Sequence, residues 1–121
     1  MKQPVGGTVP TGPYSPGIVA TGRMVFVSGQ GPLRDGQVSH GTVEEETKLV
    51  LENIQTILRS AGADLKDVVQ CRVFLADVND FPEMNRVYGS IFPDPKPART
   101  TVGAGLDDGI KVEIDCIAVL P

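Results

Sequence analysis

The segment between residues 42 and 62 constrains the fold most, because it carries the start and stop signals of one amphipathic helix. Thr42 and Glu45 have the spacing of a capping box, and Glu44, Glu45 and Glu46 fill the positive end of the helix dipole. Gly62 is placed to end the helix in the left-handed region. Apolar residues recur between these ends at helical spacing and predict a face that packs on the core. These residues are Val50, Ile54, Ile57, Leu58 and Ala61.

A second helix is predicted to follow Asp80. This residue is expected to cap the helix, with Pro82 in the first turn and Glu83 three residues on. Pro93 and Pro95 then end the helix. The apolar stripe of this helix consists of Phe81, Met84, Tyr88, Ile91 and Phe92.

Strand patterns precede the first helix. Residues 4–17 hold four prolines and four glycines and predict an irregular arm. Residues 18–21 and 24–28 predict a hairpin closed by a Gly22-Arg23 turn. A further turn at 35–36 leads to a short edge segment at Val38.

Three further strands are predicted after the first helix: residues 68–76, a strand that starts at Arg99, and residues 112–119. A loop at 105–109 separates the last two. Because side chains alternate along a strand, Arg99 and Thr101 should share one face. On the other two strands the same alternation predicts two sets of residues that each share one face. They are Val69, Cys71, Val73 and Leu75 on the first strand and Val112, Ile114, Cys116 and Ala118 on the second.

The order ββ(β)αβαββ predicts an α+β fold, a two-layer sandwich in which two helices cover one face of a mixed sheet. The length of 121 residues corresponds to one domain, 1–121. Apolar residues occur on both faces of the strands at 24–28, 68–76 and 112–119. The face without helices therefore needs a polar surface or a partner, and oligomerisation through the sheet is the prediction.

Charge and hydropathy argue against two classes of partner. The net charge of −4 and the pI of about 4.8 disfavour a nucleic-acid-binding surface, which usually needs a basic face. No run of about 18 apolar residues exists to span a membrane. The first eight residues lack the apolar run of a signal peptide, so we expect a cytoplasmic protein.

Few residues are suited to metal or nucleophilic chemistry. His40, the one histidine, lies in a loop without companions for metal ligation. Cys71 and Cys116 lie in apolar strands, which favours buried free thiols and leaves a disulfide open.

Four residues remain as candidates for function: Tyr14, Ser28, Arg99 and Glu113. The planar guanidinium of Arg99 can bind a carboxylate through two parallel hydrogen bonds, although a surface arginine on an exposed strand is the simpler interpretation. An arginine, a carboxylate and hydroxyl groups together suit a site that binds a small carboxylate substrate and handles water.

Five ordered motifs, which span nearly the whole chain, resemble the RidA (YjgF/YER057c/UK114) family. Each motif is weak alone, whereas the ordered set is specific. They are Gly12-Pro13-Tyr14-Ser15, Val27-Ser28-Gly29-Gln30, Asn79-Asp80-Phe81, Pro97-Ala98-Arg99-Thr100 and Val112-Glu113-Ile114.

The resemblance implies a chorismate-mutase-like fold and a homotrimer with clefts between subunits. Members hydrolyse reactive enamine/imine intermediates such as 2-aminoacrylate, released by pyridoxal-phosphate-dependent dehydratases, to 2-keto acids and ammonia. They use no cofactor, and the corresponding enzyme is a 2-iminobutanoate/2-iminopropanoate deaminase.

The resemblance also implies roles for individual residues. Arg99 corresponds to the arginine that binds the substrate carboxylate, and Glu113 to the glutamate associated with the attacking water. The implied substrate-binding positions are Tyr14, Ser28, Gly29, Arg99 and Thr101.

Two positions depart from the family pattern. Thr101 stands where many members have cysteine, a change that should be tolerated because the position contributes backbone contacts. Pro16 stands where glutamine is common, and the proline could alter one wall of the cleft.

Two alternatives to an imine deaminase stay open at this point. One is a small-molecule binding or regulatory module with little turnover, which the presence of Arg99 disfavours. The other is an endoribonuclease or translation inhibitor. The acidic pI, the absence of tryptophan and the single histidine disfavour this second alternative.

Overall fold

A computed structural model describes all residues from Met1 to Pro121. It contains eight strands and two α-helices. The strands are β1 (Lys2–Val5), β2 (Gly17–Ala20), β3 (Met24–Gln30), β4 (Leu33–Arg34), β5 (Gln37–Val38), β6 (Val68–Leu75), β7 (Ala98–Gly103) and β8 (Val112–Val119). The helices are α1 (Val43–Ser60) and α2 (Phe81–Ile91).

A four-stranded sheet in the order β3-β8-β6-β7 forms one layer, and the two helices form the other. Strands β6 and β7 are parallel, while the other two neighbouring pairs are antiparallel. The sheet is therefore mixed, which confirms the predicted α+β sandwich.

The core lies between this sheet and the helices. Alternate residues of β6 and β8 are buried against α1 and α2, as the strand pattern predicts. Ten exposed large apolar residues include Met24, Phe26 and Val102, which the alternation places on the sheet face without helices. We call the sheet face without helices the open face.

The predicted ends of α1 are confirmed. The Thr42 hydroxyl accepts a hydrogen bond from the Glu45 backbone N–H, and the Glu45 carboxylate accepts one from the Thr42 N–H. Gly62 has a φ of 87°, the left-handed conformation expected just beyond a helix. The apolar stripe is shorter than predicted, because Ala61 is exposed.

The predicted hairpin between residues 18–21 and 24–28 is wrong. Strand β2 instead pairs with β1, which lies partly inside the segment predicted to be irregular, and β3 pairs with β8. Backbone hydrogen bonds beyond the strand ends explain the separation: Thr21 bonds to Met1, whereas Arg23 bonds to Leu120. The two segments therefore have different partners on either side of Gly22.

Two local predictions also need correction. Strand alternation predicts that Val69 shares a face with Cys71, but the register of β6 against β8 shifts between Val68 and Gln70, so Val68 is fully buried and Val69 only partly. Asp80 precedes α2 but makes no side-chain cap, because a 3-10 turn at Val78–Asp80 precedes the helix.

The sequence interpretation missed the role of Glu46, which is buried rather than a solvated first-turn acid. Glu46 Oε1 accepts a hydrogen bond from the Lys111 backbone N–H at 2.8 Å. Its Oε2 accepts from the Gly41 backbone N–H at 3.2 Å and from Lys111 Nζ at 3.3 Å. This carboxylate therefore joins the start of α1 to the chain just before β8.

Replacing Glu46 by alanine is expected to lower the free energy of unfolding by about 3 kcal/mol, because two backbone donors lose a charged acceptor. Glu44→Ala is the matched control: it removes a charge from the same turn, but Glu44 forms only an exposed ion pair with Arg86. Urea denaturation at one protein concentration measures both. Equal losses in the two variants would contradict the structural role of Glu46.

Candidate functional site

Arg99 lies near the start of β7, at the edge of the sheet, and its side chain is on the helix side. The pairing of Arg99 with Cys71, which is fully buried beneath the helices, fixes this orientation. Arg99 Nη1 donates a hydrogen bond to Asn85 Oδ1 of α2 at 2.6 Å. No carboxylate forms an ion pair with it. The guanidinium is thus held in place without its charge being cancelled.

Three aromatic rings surround the guanidinium. Arg99 Cζ lies 5.0 Å from the ring centroid of Tyr88, 5.5 Å from that of Phe81 and 5.7 Å from that of Tyr14. Each distance is within the range of a cation–π interaction. Burial lowers the pKa of Arg99, but an arginine stays protonated at neutral pH. We call Arg99, Asn85 and these three aromatic residues the Arg99 cluster.

The N-terminal arm brings Tyr14 to this cluster. The Ser15 backbone N–H donates to the Pro97 carbonyl at 3.1 Å, and Ser15 Oγ donates to the Lys96 carbonyl at 2.5 Å. These bonds attach the arm to the chain just before β7. The backbone N–H of Thr11 donates to the Tyr14 hydroxyl at 3.2 Å, which orients the ring.

Two hydroxyl groups on this side of the sheet are shielded from solvent and lack a strong hydrogen-bond partner. Thr101 Oγ1 is unpaired, and Tyr88 Oη lies beside only the buried Cys71 thiol, which is a weak donor and acceptor. Thr101 lies two residues beyond Arg99 on the same strand face, as predicted. Because unsatisfied buried polar groups are costly, such groups beside an unpaired arginine are typical of a binding site.

Glu113, Gly29 and Ser28 form a second group, the Glu113 cluster. Glu113 pairs with Phe74 across β8 and β6, which places its side chain on the open face. A β-carbon added at Gly29 would lie 2.5 Å from Glu113 Oε2. Glycine at this position therefore leaves the space that the Glu113 carboxylate occupies.

Ser28 and Gly29 also line a cavity of about 670 Å³ on the open face. They lie where the register of β3 against β8 is interrupted, between Val27 and Gln30. Arg72 lines the cavity and binds Asp115 through both its Nε and Nη2 atoms, the latter at 2.7 Å. Asp115 is thereby paired, whereas Glu113 accepts no hydrogen bond within the chain.

One chain does not bring the two clusters together. Arg99 is level with Cys71 and Cys116, while Glu113 is level with Phe74. The two levels differ by three residues along β8, or about 10 Å, and the side chains lie on opposite faces of the sheet. Arg99, Tyr14 and Thr101 therefore form one half of the predicted site, and Ser28, Gly29 and Glu113 the other.

The remaining candidates take no part in either cluster. Burial raises the pKa of the Cys71 thiol to about 12, so this cysteine is not a thiolate at neutral pH. Both cysteines are free.

His40 is exposed, and no group of three or more His, Cys, Asp or Glu side chains is placed to hold a metal ion. Pro16 is exposed and directly precedes β2. No helix is both long and apolar enough to cross a membrane.

Sequence reasoning missed Asn85 and assigned Phe81 and Tyr88 only to the core stripe of α2. Their spacing indicates that they lie together, since residues three and four apart share one helix face. Asn85 follows Phe81 by four residues and precedes Tyr88 by three. A single amide within an apolar stripe indicates a specific partner across the interface.

A family model described as Endoribonuclease L-PSP matches residues 7–120. The protein mmf2, mitochondrial, of Schizosaccharomyces pombe is 46% identical over 88% of this chain and 87% of its own length. The chloroplastic Reactive Intermediate Deaminase A of Arabidopsis thaliana is 43% identical over 90% of this chain and 59% of its own length. A solved structure of RidA from the Antarctic bacterium Psychrobacter sp. PAMC 21119 is 34% identical. It covers 93% of this chain and 92% of that one, with a TM-score of 0.77.

Proposed function

The chain belongs to the Endoribonuclease L-PSP family, which is the RidA/YjgF family with its chorismate-mutase-like fold, and on this premise we propose that it hydrolyses reactive imino acids. The substrates are small enamine/imine carboxylates such as 2-aminoacrylate and its imine, 2-iminopropanoate. The products are a 2-keto acid and ammonia.

The Arg99 guanidinium, which forms no ion pair, carries this proposal. It is half-buried among three rings, one neutral amide holds it, and no acid neutralises it. A desolvated arginine of this kind binds a carboxylate strongly, and its planar shape fixes the orientation of the bound group. The imine carbon, which is attached directly to that carboxylate, is then held in a defined position.

Glu113 supplies the second part of the proposed reaction. Its carboxylate accepts a proton from water as the water oxygen forms a bond to the imine carbon. Glu113 passes this proton to the imine nitrogen, which gives a neutral carbinolamine. When the carbon–nitrogen bond then breaks, the hydroxyl proton is transferred to the departing nitrogen, so that ammonia leaves and the carbonyl of the keto acid remains. The reaction consumes one water and needs no redox step.

We propose a homotrimer, because the two clusters need a second copy of the chain to meet. In this assembly the Glu113 cluster of one subunit faces the Arg99 cluster of its neighbour. The open face supports the arrangement, since Phe26 is 69% exposed there and lines the cavity of about 670 Å³. Burying that apolar face against a symmetry-related copy stabilises the assembly.

Light scattering is expected to give a mass about three times the 12.8 kDa of one chain. Phe26→Asp, which places a charge on the open face, should shift the protein toward monomer. Val9→Asp is the matched control, because Val9 is 88% exposed in the arm and away from the sheet. A parent protein that stays monomeric at all concentrations would contradict the trimer.

The direct test of the activity is keto-acid release from 2-aminoacrylate generated in the assay by a pyridoxal-phosphate-dependent dehydratase. We expect the protein to raise the rate of keto-acid formation above spontaneous hydrolysis. No acceleration together with tight pyruvate binding would favour the alternative, a binding module. The completeness of the Arg99 cluster within one chain is the observation that supports this alternative.

A further inference from the structure

Asn85 makes the only side-chain hydrogen bond to the Arg99 guanidinium. The contact joins the middle of α2 to the edge strand β7 and is 2.6 Å long. The Asn85 side chain is partly buried, as is that of Arg99. Gly12 of the arm lies beside both: a β-carbon added there would be 3.6 Å from Asn85 Nδ2 and 3.7 Å from Arg99 Nη2. The amide is thus part of a packed arrangement around the guanidinium.

The neutrality of this partner distinguishes Arg99 from the other arginines that bond to side chains. Arg59, Arg72 and Arg86 each bind a carboxylate, from Asp64, Asp115 and Glu44 respectively. A carboxylate at position 85 would give Arg99 the same ion pair. The amide oxygen instead accepts one hydrogen bond and leaves the positive charge uncancelled.

We propose that Asn85 is a positioning residue for the substrate carboxylate, and that it is an amide so that Arg99 stays free to bind an anion. The inference rests on the proposed function, because it assumes that Arg99 binds the carboxylate. Asn85 acts in two ways. It fixes the orientation of the guanidinium by holding Nη1, and it does so without competing electrostatically with the ligand.

Pyruvate binding by Asn85→Asp and Asn85→Ala tests the inference. Asn85→Asp keeps the shape and the hydrogen bond but introduces a competing carboxylate, so we expect pyruvate to bind about a hundredfold more weakly. Asn85→Ala loses only the positioning and should weaken binding about tenfold. The aspartate variant is therefore expected to bind pyruvate less well than the alanine variant.

A purely structural role of Asn85 predicts the opposite order of pyruvate affinities, with the aspartate variant above the alanine variant. If Asn85 served only to attach α2 to β7, aspartate would be the better replacement, because its charged hydrogen bond to Arg99 is stronger. Thermal unfolding and mass are measured for each variant, so that the stability order can be compared with the binding order. Gln37→Glu is the matched control, because it makes the same amide-to-carboxylate change on the exposed strand β5.

Two results overturn the inference and are distinguishable from each other. If the parent binds pyruvate and Asn85→Asp binds as well as Asn85→Ala or better, the role of Asn85 is wrong while the proposed function stands. If the parent neither binds pyruvate nor hydrolyses the imine, the proposed function fails and the inference fails with it. Should the aspartate variant not fold, a parent-like affinity in Asn85→Ala overturns the positioning role.

Discussion

Replacing Arg99 by alanine is expected to lower kcat/KM for imine hydrolysis by about a hundredfold or more. A charged hydrogen bond that is not replaced costs about 1.5–3 kcal/mol, and a bidentate pair contains two. The substrate would also lose its orientation relative to the attacking water, which raises the barrier further. The affinity for pyruvate should fall in parallel, since the same contacts hold substrate and product.

Arg99→Lys separates charge from geometry. Lysine keeps the positive charge but cannot make two parallel hydrogen bonds, and it lacks the planar guanidinium that lies near the three rings. We expect activity between those of the parent and the alanine variant. Light scattering must show that all three proteins have the same mass. Full activity in both variants would mean that Arg99 is only a strand residue that packs against α2.

Local sequence signals predicted the elements well, because their causes lie within a few residues. The Thr42–Glu45 capping box, Gly62 beyond the helix, and the 35–36 turn all occur as expected. Both turn residues, Asp35 and Gly36, have positive φ, at 51° and 78°. Strand alternation likewise placed Arg99 and Thr101 on one face.

Pairing between distant segments could not be predicted in this way. Residues 18–21 and 24–28 have the pattern of a hairpin, but their partners are β1 and β8, at opposite ends of the chain. Glu46 looks like a solvated acid until Lys111, 65 positions away, is brought beside it. In each case the deciding partner is set by the tertiary fold.

In the candidate site, too, features within one strand could be predicted, whereas contacts between elements could not. Strand periodicity indicated which residues point together within a strand, but it does not predict the register of β7 and β8 against β6, the strand between them. Only the register reveals that Arg99 and Glu113 lie on opposite faces of one sheet. Asn85 was missed because its partner is on a different element.

Glu113→Gln is expected to lower kcat by about a hundredfold or more while changing pyruvate affinity by less than about threefold. Glutamine keeps the shape but cannot accept the proton from water. Gly29→Ala tests whether the position of the Glu113 carboxylate matters. The added β-carbon would lie 2.5 Å from Glu113 Oε2 and would therefore displace the carboxylate. Single-turnover kinetics and calorimetry measure the two quantities, and equal kcat in Glu113→Gln and the parent would contradict the role of the base.

The placement of Glu113 on the opposite face from Arg99 permits a sharper form of this test. If each site combines Arg99 of one subunit with Glu113 of another, a mixed trimer of Arg99→Ala and Glu113→Gln chains contains some sites with both residues intact. Equal co-expression with random assembly should restore about one quarter of parent activity, although each variant alone is nearly inactive. Each variant carried alone through the same purification is the control. Mixed trimers that form, as native mass spectrometry would show, but regain no activity would mean that the two residues act within one subunit.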